Sequence, residues 1–376
     1  MPRSLHPGQR NAPTFFQLTR PAHYRLSEAP IMKPKCNKPY EVGFAEQLNS
    51  LIYYHLENHD SGRHHLQVLE ENAFAQKHVA PKKGMKKSTF FELNNSRGLE
   101  QMSYMFKELQ IEASETILPQ YEHLGNLVAV DGSLLDAMLS MYWADYCKTS
   151  KKARVHLGFD LNKGIPYKIH LTNGKSGERP FVEKVLSPGQ TGILDRGYQS
   201  HKHFDRWQEK GIHFVCRLRN GTLKTVVEQY EPPKDSIIFY DALALLGKPH
   251  QNLSEKPVRV VGYKILGTIY WVATDRLDLS AEDIAFIYKL RWDIEKFFKW
   301  WKRHLNVYHI MFRSKHGLLI QLLAGLITYL LLVIYCQEQY GERVSIKRFR
   351  EIRNKIHNEA IEAGGPPDFF SQHSGP

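Results

Sequence analysis

Apolar positions between Tyr40 and Leu118 recur at helical spacing, through EVGFAEQLNSLIYYHLENH, HHLQVLEENAFAQKHV and PKKGMKKSTFFELNNSRGLEQMSYMFKELQIEA. Gly84 divides the last run, and a second helix is expected from near Ser88. At Leu127 the period changes. The run LVAV reads as a short buried strand ending at Asp131-Gly132-Ser133, while ARVHLGFDL and IPYKIHL alternate around Asn162-Lys163-Gly164 as a hairpin. A helix over 178–186 follows. TGILD is then a second short strand ending at Asp195, and a helix over 201–210 leads to the strand IHFVCRL. TLKTVVEQY, SIIFY, PVRVVGYKI and TIYWVAT form a largely β segment, before a long helix begins at the Ser280 cap with acidic residues in its first turn.

These patterns predict an α/β protein with a helical N-terminal part. The expected divisions are a Pro-rich, extended and flexible arm (1–40), a helical domain (41–120), an α/β core (121–218), a β-rich insertion (219–279), two core helices (280–345) and a C-terminal tail (346–376). The arm rests on its many prolines and its lack of periodicity. Leu318–Tyr335 is apolar enough to cross a bilayer, or to form a buried core helix. The second reading is preferred, because this is a single segment directly after a basic helix.

Charge narrows the function. Lys plus Arg exceed Asp plus Glu by 51 − 39 = 12, beside 19 histidines, and such an excess suits a polyanionic partner, nucleic acid foremost. With 42% hydrophobic residues the chain is no disordered or fibrous protein. Its four cysteines lie far apart, without the spacing of a disulfide framework or a zinc site, and no signal peptide is visible. A reducing, intracellular setting is expected. Lys82, Lys83, Lys86 and Lys87 cluster at the Gly84 turn, where a helix-turn-helix contact with DNA and an ordinary bundle turn both fit.

Asp131 and Asp195 at strand ends fit either a hard-cation site or simple turn capping. The helix after Ser280 alters that balance. At about 100° per residue, with Tyr288 at zero, Arg291 falls at about −60°, Glu295 at about −20° and Lys302 at about −40°. Ile287, Leu290, Ile294, Phe297, Phe298, Trp301 and Leu305 make the core stripe, and Lys289, Lys296, Lys299 and Arg303 the remaining face. A carboxylate bordering the buried stripe, aligned with a Tyr, an Arg and a Lys, is poorly explained by solvation alone.

The run Tyr288-x2-Arg291-x3-Glu295-x6-Lys302, with Asp131 in AVDGS and Asp195 in ILDRGYQ, resembles the signature of the IS4-type DDE transposases. The resemblance covers about Leu127–Leu305. It implies an RNase H-like core with a β-rich insertion, in which Asp131, Asp195 and Glu295 hold two Mg²⁺ or Mn²⁺ ions. It further implies cleavage of phosphodiesters at transposon ends and joining of the 3′-OH to target DNA. Tyr288, Arg291 and Lys302 would contact DNA, with Lys299 and Arg196 as further candidates. Trp271 and Trp292 are candidates for stacking a flipped base. The implied partners are double-stranded DNA (terminal inverted repeats and target) and a second copy in the synaptic complex, with no membrane. The implied location is the cytoplasm of a prokaryote, at the nucleoid. The rival readings are an RNase H-like nuclease that does not join strands, a catalytically inactive DNA-binding derivative and a membrane protein.

Overall fold

The structure, a computed structural model, describes residues 12–32, 42–57, 59, 61–80 and 84–363. Along the chain come α1 (Thr14–His23), α2 (Phe44–Leu56), α3 (Gly62–Glu71), α4 (Ala73–His78), α5 (Lys87–Ser96) and α6 (Leu99–Thr116). Then follow β1 (Asn126–Ala137), β2 (Asp145–Cys147), β3 (Ser150–Asp160), β4 (Ile165–Asn173), α7 (Val182–Val185), β5 (Gln190–Leu194), α8 (His201–Glu209) and β6 (His213–Arg217). The remainder is β7 (Lys224–Gln229), β8 (Ile238–Leu246), β9 (Val258–Ile265), β10 (Thr268–Thr274), α9 (Ala281–Leu290), α10 (Trp292–His304), α11 (Lys315–Tyr340) and α12 (Ile346–Ala363). The chain divides into two compact units, one made of the chain up to Ile117 and from Trp300 onward, the other of Leu118–Lys299.

The first unit is helical. At its centre α11 starts on the Ser314 cap, whose hydroxyl accepts from the Gly317 N–H at 2.9 Å, and ends at Gly341 in the left-handed region. It packs against α1, α2, α5 and α6. It is long and apolar enough to span a bilayer, but 89% of its apolar window is buried inside the fold, as a core helix should be. Two expectations change in this unit. The first 40 residues are not all extended, because Phe15, Leu18 and Ala22 form a buried stripe on α1 despite Pro21 within it. The Thr14 N–H and hydroxyl, at the start of α1, donate to Glu359 of α12 at 2.7 and 2.6 Å. The segment from 346 is likewise no tail. Phe349, Ile352, Ile356 and Ala360 are buried on α12, a spacing diluted in sequence by the cations between them.

The second unit holds one ten-stranded sheet in the order β2-β3-β1-β5-β6-β10-β9-β8-β7, with β4 also on β3. The expected hairpin is β3–β4, antiparallel from Ala153↔Asn173 to Asp160↔Ile165. β1 lies antiparallel to β3 and parallel to β5, and β5 is parallel to β6. The β-rich segment is continuous with the same sheet, since β10 pairs with β6. On one face Phe204 and Trp207 of α8 pack with Val130, Leu194 and Phe214 from the strands.

Two element boundaries also differ from expectation. β1 does not stop at Asp131 but continues six residues to Ala137 against β3, because Leu135 is buried beyond the aspartate. The helix predicted from Ser280 is two segments. The Ser280–Asp283 capping box is present, and the hydrogen-bond ladder is interrupted at Arg291, whose N–H reaches the Tyr288 carbonyl at 3.2 Å.

Candidate active site

Asp131 and Asp195 meet through the β1–β5 register. Ala129 is paired with Ile193 in that parallel ladder, so two residues further along each chain Asp131 comes beside Asp195. Each carboxylate is held by a nearby backbone N–H, Asp131 Oδ1 accepting from Gly132 within β1 and Asp195 Oδ1 from Gly197 in the turn after β5, both at 2.8 Å. The glycines are required by close approach. A Cβ on Gly132 would collide with the Glu178 carboxylate, and one on Gly197 would lie 3.0 Å from Asp195 Oδ1.

Glu178, which the sequence reading passed over as a helix start, is the third carboxylate at this place. It is bound by the Arg154 guanidinium and lies close enough to Asp131 and Asp195 for mutual repulsion. Behind the three sits Tyr198 of the DRGY turn, fully buried, with its hydroxyl unmatched. Burial pushes the Asp131 carboxyl up to about 7, aided by Asp195 and Glu178, while the Gly132 N–H and Arg291 oppose it. Burial likewise raises Glu178, against the Arg154 charge. A half-buried Glu beside Arg-x-Phe at a short helix start has no periodic signature, so no sequence pattern marked it.

Glu295 lies near the start of α10, its carboxylate 2.7 Å from Arg291 Nη2. The same guanidinium also attracts Asp131 electrostatically. Among the described residues no three His, Cys, Asp or Glu side chains converge closely enough to hold one metal ion. The donor set nevertheless suits a hard divalent cation, being carboxylate oxygens that repel one another in a desolvated place.

The other predicted residues fall in several environments. Tyr288 is buried on α9, with Arg291 over its ring at 5.7 Å. Trp292 is 54% exposed beside Arg291. Trp271 on β10 is enclosed by Phe239 and Tyr240, with the Lys224 ammonium 4.0 Å from its ring. Arg196 and Lys299 are exposed. Lys302 lies past the division between the units. It is buried, with its ammonium over the Tyr308 ring at 5.2 Å, where it was expected as a DNA contact at the edge of the core stripe. Lys86 and Lys87 are exposed at the start of α5, whereas Lys82 and Lys83 lie outside the described residues.

A family model described as "Transposase DDE domain" matches residues 122–331, more than half of the chain, including Asp131, Asp195 and Glu295. The chain belongs to the transposase DDE domain family. Relatives of this transposase-family chain include a protein named "Probable transposase for insertion sequence element IS5377" from Geobacillus stearothermophilus. It is 28% identical over 216 residues, which cover 56% of this chain and 57% of the relative. A second is the transposase for insertion sequence element IS231B from Bacillus thuringiensis subsp. berliner, 22% identical over 281 residues, or 57% and 58% of the two chains. The matches thus span somewhat more than half the length of these curated relatives.

Proposed function

We propose that this chain is the transposase of an insertion sequence, which cuts phosphodiesters at the ends of its element and joins the freed 3′-OH to target DNA. The observation that carries the reading is Asp131 beside Asp195 on adjacent parallel strands, with Glu295 one guanidinium away, inside the region matched to the DDE family. The strand order β4-β3-β1-β5-β6, three antiparallel and then two parallel, supports an RNase H-like core.

Asp131, Asp195 and Glu295 would hold two divalent cations, Mg²⁺ or Mn²⁺. Such cations supply Lewis acidity that lowers the pKa of a water or 3′-OH and stabilises the leaving oxygen. Arg291 neutralises Glu295 and Asp131 in the free chain, and in the complex its fork turns to the scissile phosphate. Tyr288 supports that guanidinium from below. Trp292, exposed beside it, would stack on an unpaired base, a role that the enclosed Trp271 suits poorly. Lys299 and Arg196 are exposed cations for the flanking backbone. Lys302 reaches a phosphate only by leaving the Tyr308 ring. Lys86 and Lys87 at the start of α5 would be DNA contacts of the helical unit in its own right, and two element ends call for two copies of the chain. A chain acting on chromosomal DNA works in the prokaryotic cytoplasm at the nucleoid.

The test is Mg²⁺-dependent nicking of a duplex carrying the element's end, followed by strand transfer of a pre-cut end. Asp131→Asn, Asp195→Asn and Glu295→Gln should each abolish nicking and leave duplex binding intact. Near-wild-type nicking by any of them removes that residue from the site. Nicking by the wild type without transfer leaves a nuclease.

A further inference from the structure

Beside the Asp195 turn, the second unit opens into a groove of about 710 Å³ between the start of α8, the chain after β6 and the β8–β9 connection. Its charged lining includes Arg179, Lys202, Arg206 and Arg219, and Arg219 also borders a smaller depression with Arg196 and Gly197. The two hollows thus meet at Arg219, and the smaller one begins one residue after Asp195. We infer that this groove carries the sugar-phosphate backbone of duplex DNA running away from the cleavage point, a contact separate from the scissile phosphate. The inference rests on the transposase reading for which strand occupies it.

Three features favour a phosphate backbone. First, Arg196, Lys202 and Arg219 are exposed and have no ion-pair partner among the described residues. Exposed cations left outside ion pairs are what phosphate recognition requires, here on a wall that also holds Asp205, Glu209 and Glu255. Lys202 lies one turn before Arg206 on α8, about 6 Å along its axis, and Arg206 is already paired with Glu183 at 2.9 Å.

Second, two of the three acidic lining residues, Asp205 and Glu209, are engaged or remote, which leaves Glu255 as the exposed carboxylate of the lining. Both Asp205 oxygens accept backbone N–H groups, from Glu255 and Lys256, at 3.0 Å. Glu209 stands at the far end of α8.

Third, the wall is braced. The Arg179 Nε donates to the Gly197 carbonyl at 3.0 Å, tying the groove to the Asp195 turn. Gln199 Oε1 accepts the Arg219 N–H at 2.7 Å, and its amide donates to Thr222 Oγ1 at 3.0 Å. A rigid cationic wall keeps the ordering cost of binding low.

The experiment measures binding of a 30-base-pair mixed-sequence duplex to the full chain across a salt series. It compares wild type, the double variant Lys202→Ala/Arg219→Ala, and Lys234→Ala, an exposed cation of the same unit outside the groove. Losing two phosphate contacts should lower the slope of log K against log salt by about 2 and weaken binding at low salt at least about tenfold. Lys234→Ala should match wild type. Independently of any variant's folding, the wild-type Lys202 amine should be shielded from acetylation by the duplex and not by polyglutamate.

An unchanged slope in a folded double variant overturns the groove assignment, as does equal Lys202 reactivity with and without duplex. Shielding by polyglutamate alone overturns it in favour of an acidic protein partner. Wild-type nicking with an unchanged variant slope defeats the groove alone. A lost slope in a chain that never nicks defeats the transposase reading and leaves the groove a DNA surface.

Discussion

Asp131→Asn should make the metal-free protein more stable while abolishing its activity. Burial and two neighbouring carboxylates lift the Asp131 carboxyl from 3.8 to about 7. A group whose folded pKa is raised holds its proton more tightly in the fold. An ionised Asp131 therefore opposes folding above pH 7, and the penalty fades as pH falls towards 3.8. At about 1.4 kcal/mol for each pH unit, the full cost is about 4 kcal/mol. Relaxation and water entry reduce it, so this is an upper bound. A unit the size of Leu118–Lys299 unfolds with an entropy of about 0.4 kcal/mol/K, which makes the bound about 10 °C in Tm.

The assay is thermal unfolding of wild type and Asp131→Asn in EDTA at pH 8.0 and 4.5, then with Mg²⁺ at pH 8.0. The variant should melt at least about 3 °C higher at pH 8.0, with most of the gap gone at pH 4.5. Mg²⁺ should raise the wild type and leave the variant nearly unmoved, because ligand binding to the fold alone is a stability gain. A variant that melts at or below wild type at pH 8.0 in EDTA refutes the account of a desolvated, crowded carboxylate. It would then be a capped turn residue whose charge is well solvated.

Three further outcomes follow from other parts of the molecule. Arg291→Lys keeps the charge but loses the planar fork that meets Glu295 at 2.7 Å, so nicking should fall at least about tenfold, and wild-type rates would exclude a fork contact with phosphate. Burial holds His59 down to about 4, with His64 adding to it, and burial lowers His65 as well, so both are neutral in the fold. Their stabilising contribution is complete above pH 6.5 and is lost as pH falls towards 4; His59→Gln should remove about 2 kcal/mol of the loss between pH 7.5 and 5.0 in urea unfolding, and an unaltered pH slope contradicts this. Gly98 has φ +82° and no room for a Cβ beside the Gln47 amide, so Gly98→Ala should lower urea stability by about 1 kcal/mol or more, and an unchanged midpoint would show that Gln47 yields freely.

What the sequence disclosed, and what it withheld, follows from the range of each interaction. The wheel drawn from Ser280 correctly separates the core stripe, since Ile287, Leu290, Ile294, Phe297, Phe298, Trp301 and Leu305 are all buried, while Lys289, Lys296, Lys299 and Arg303 are exposed. Periodicity is a local property, and a helix face is set within a few turns. Asp131 and Asp195 were legible as a pair because apolar runs such as LVAV and TGIL mark buried strands, and parallel strands of one sheet bring equivalent ends together. The limits are of a different kind. A wheel gives the angle of Lys302 but not the Tyr308 ring that covers it, nor the compact unit in which it lies. Pro21 and the other prolines hide α1, because its stripe of three buried residues is too short to outweigh them. Glu178 and Tyr198 escape altogether: each becomes an active-site neighbour only once β1, β5 and the turn after β4 are brought together, so their role is written in the sheet register and not in any window of sequence. The carboxylate pair that sequence could find is therefore surrounded by neighbours that it could not, and burial among them, with Asp195 and Glu178 adding repulsion, raises the Asp131 pKa.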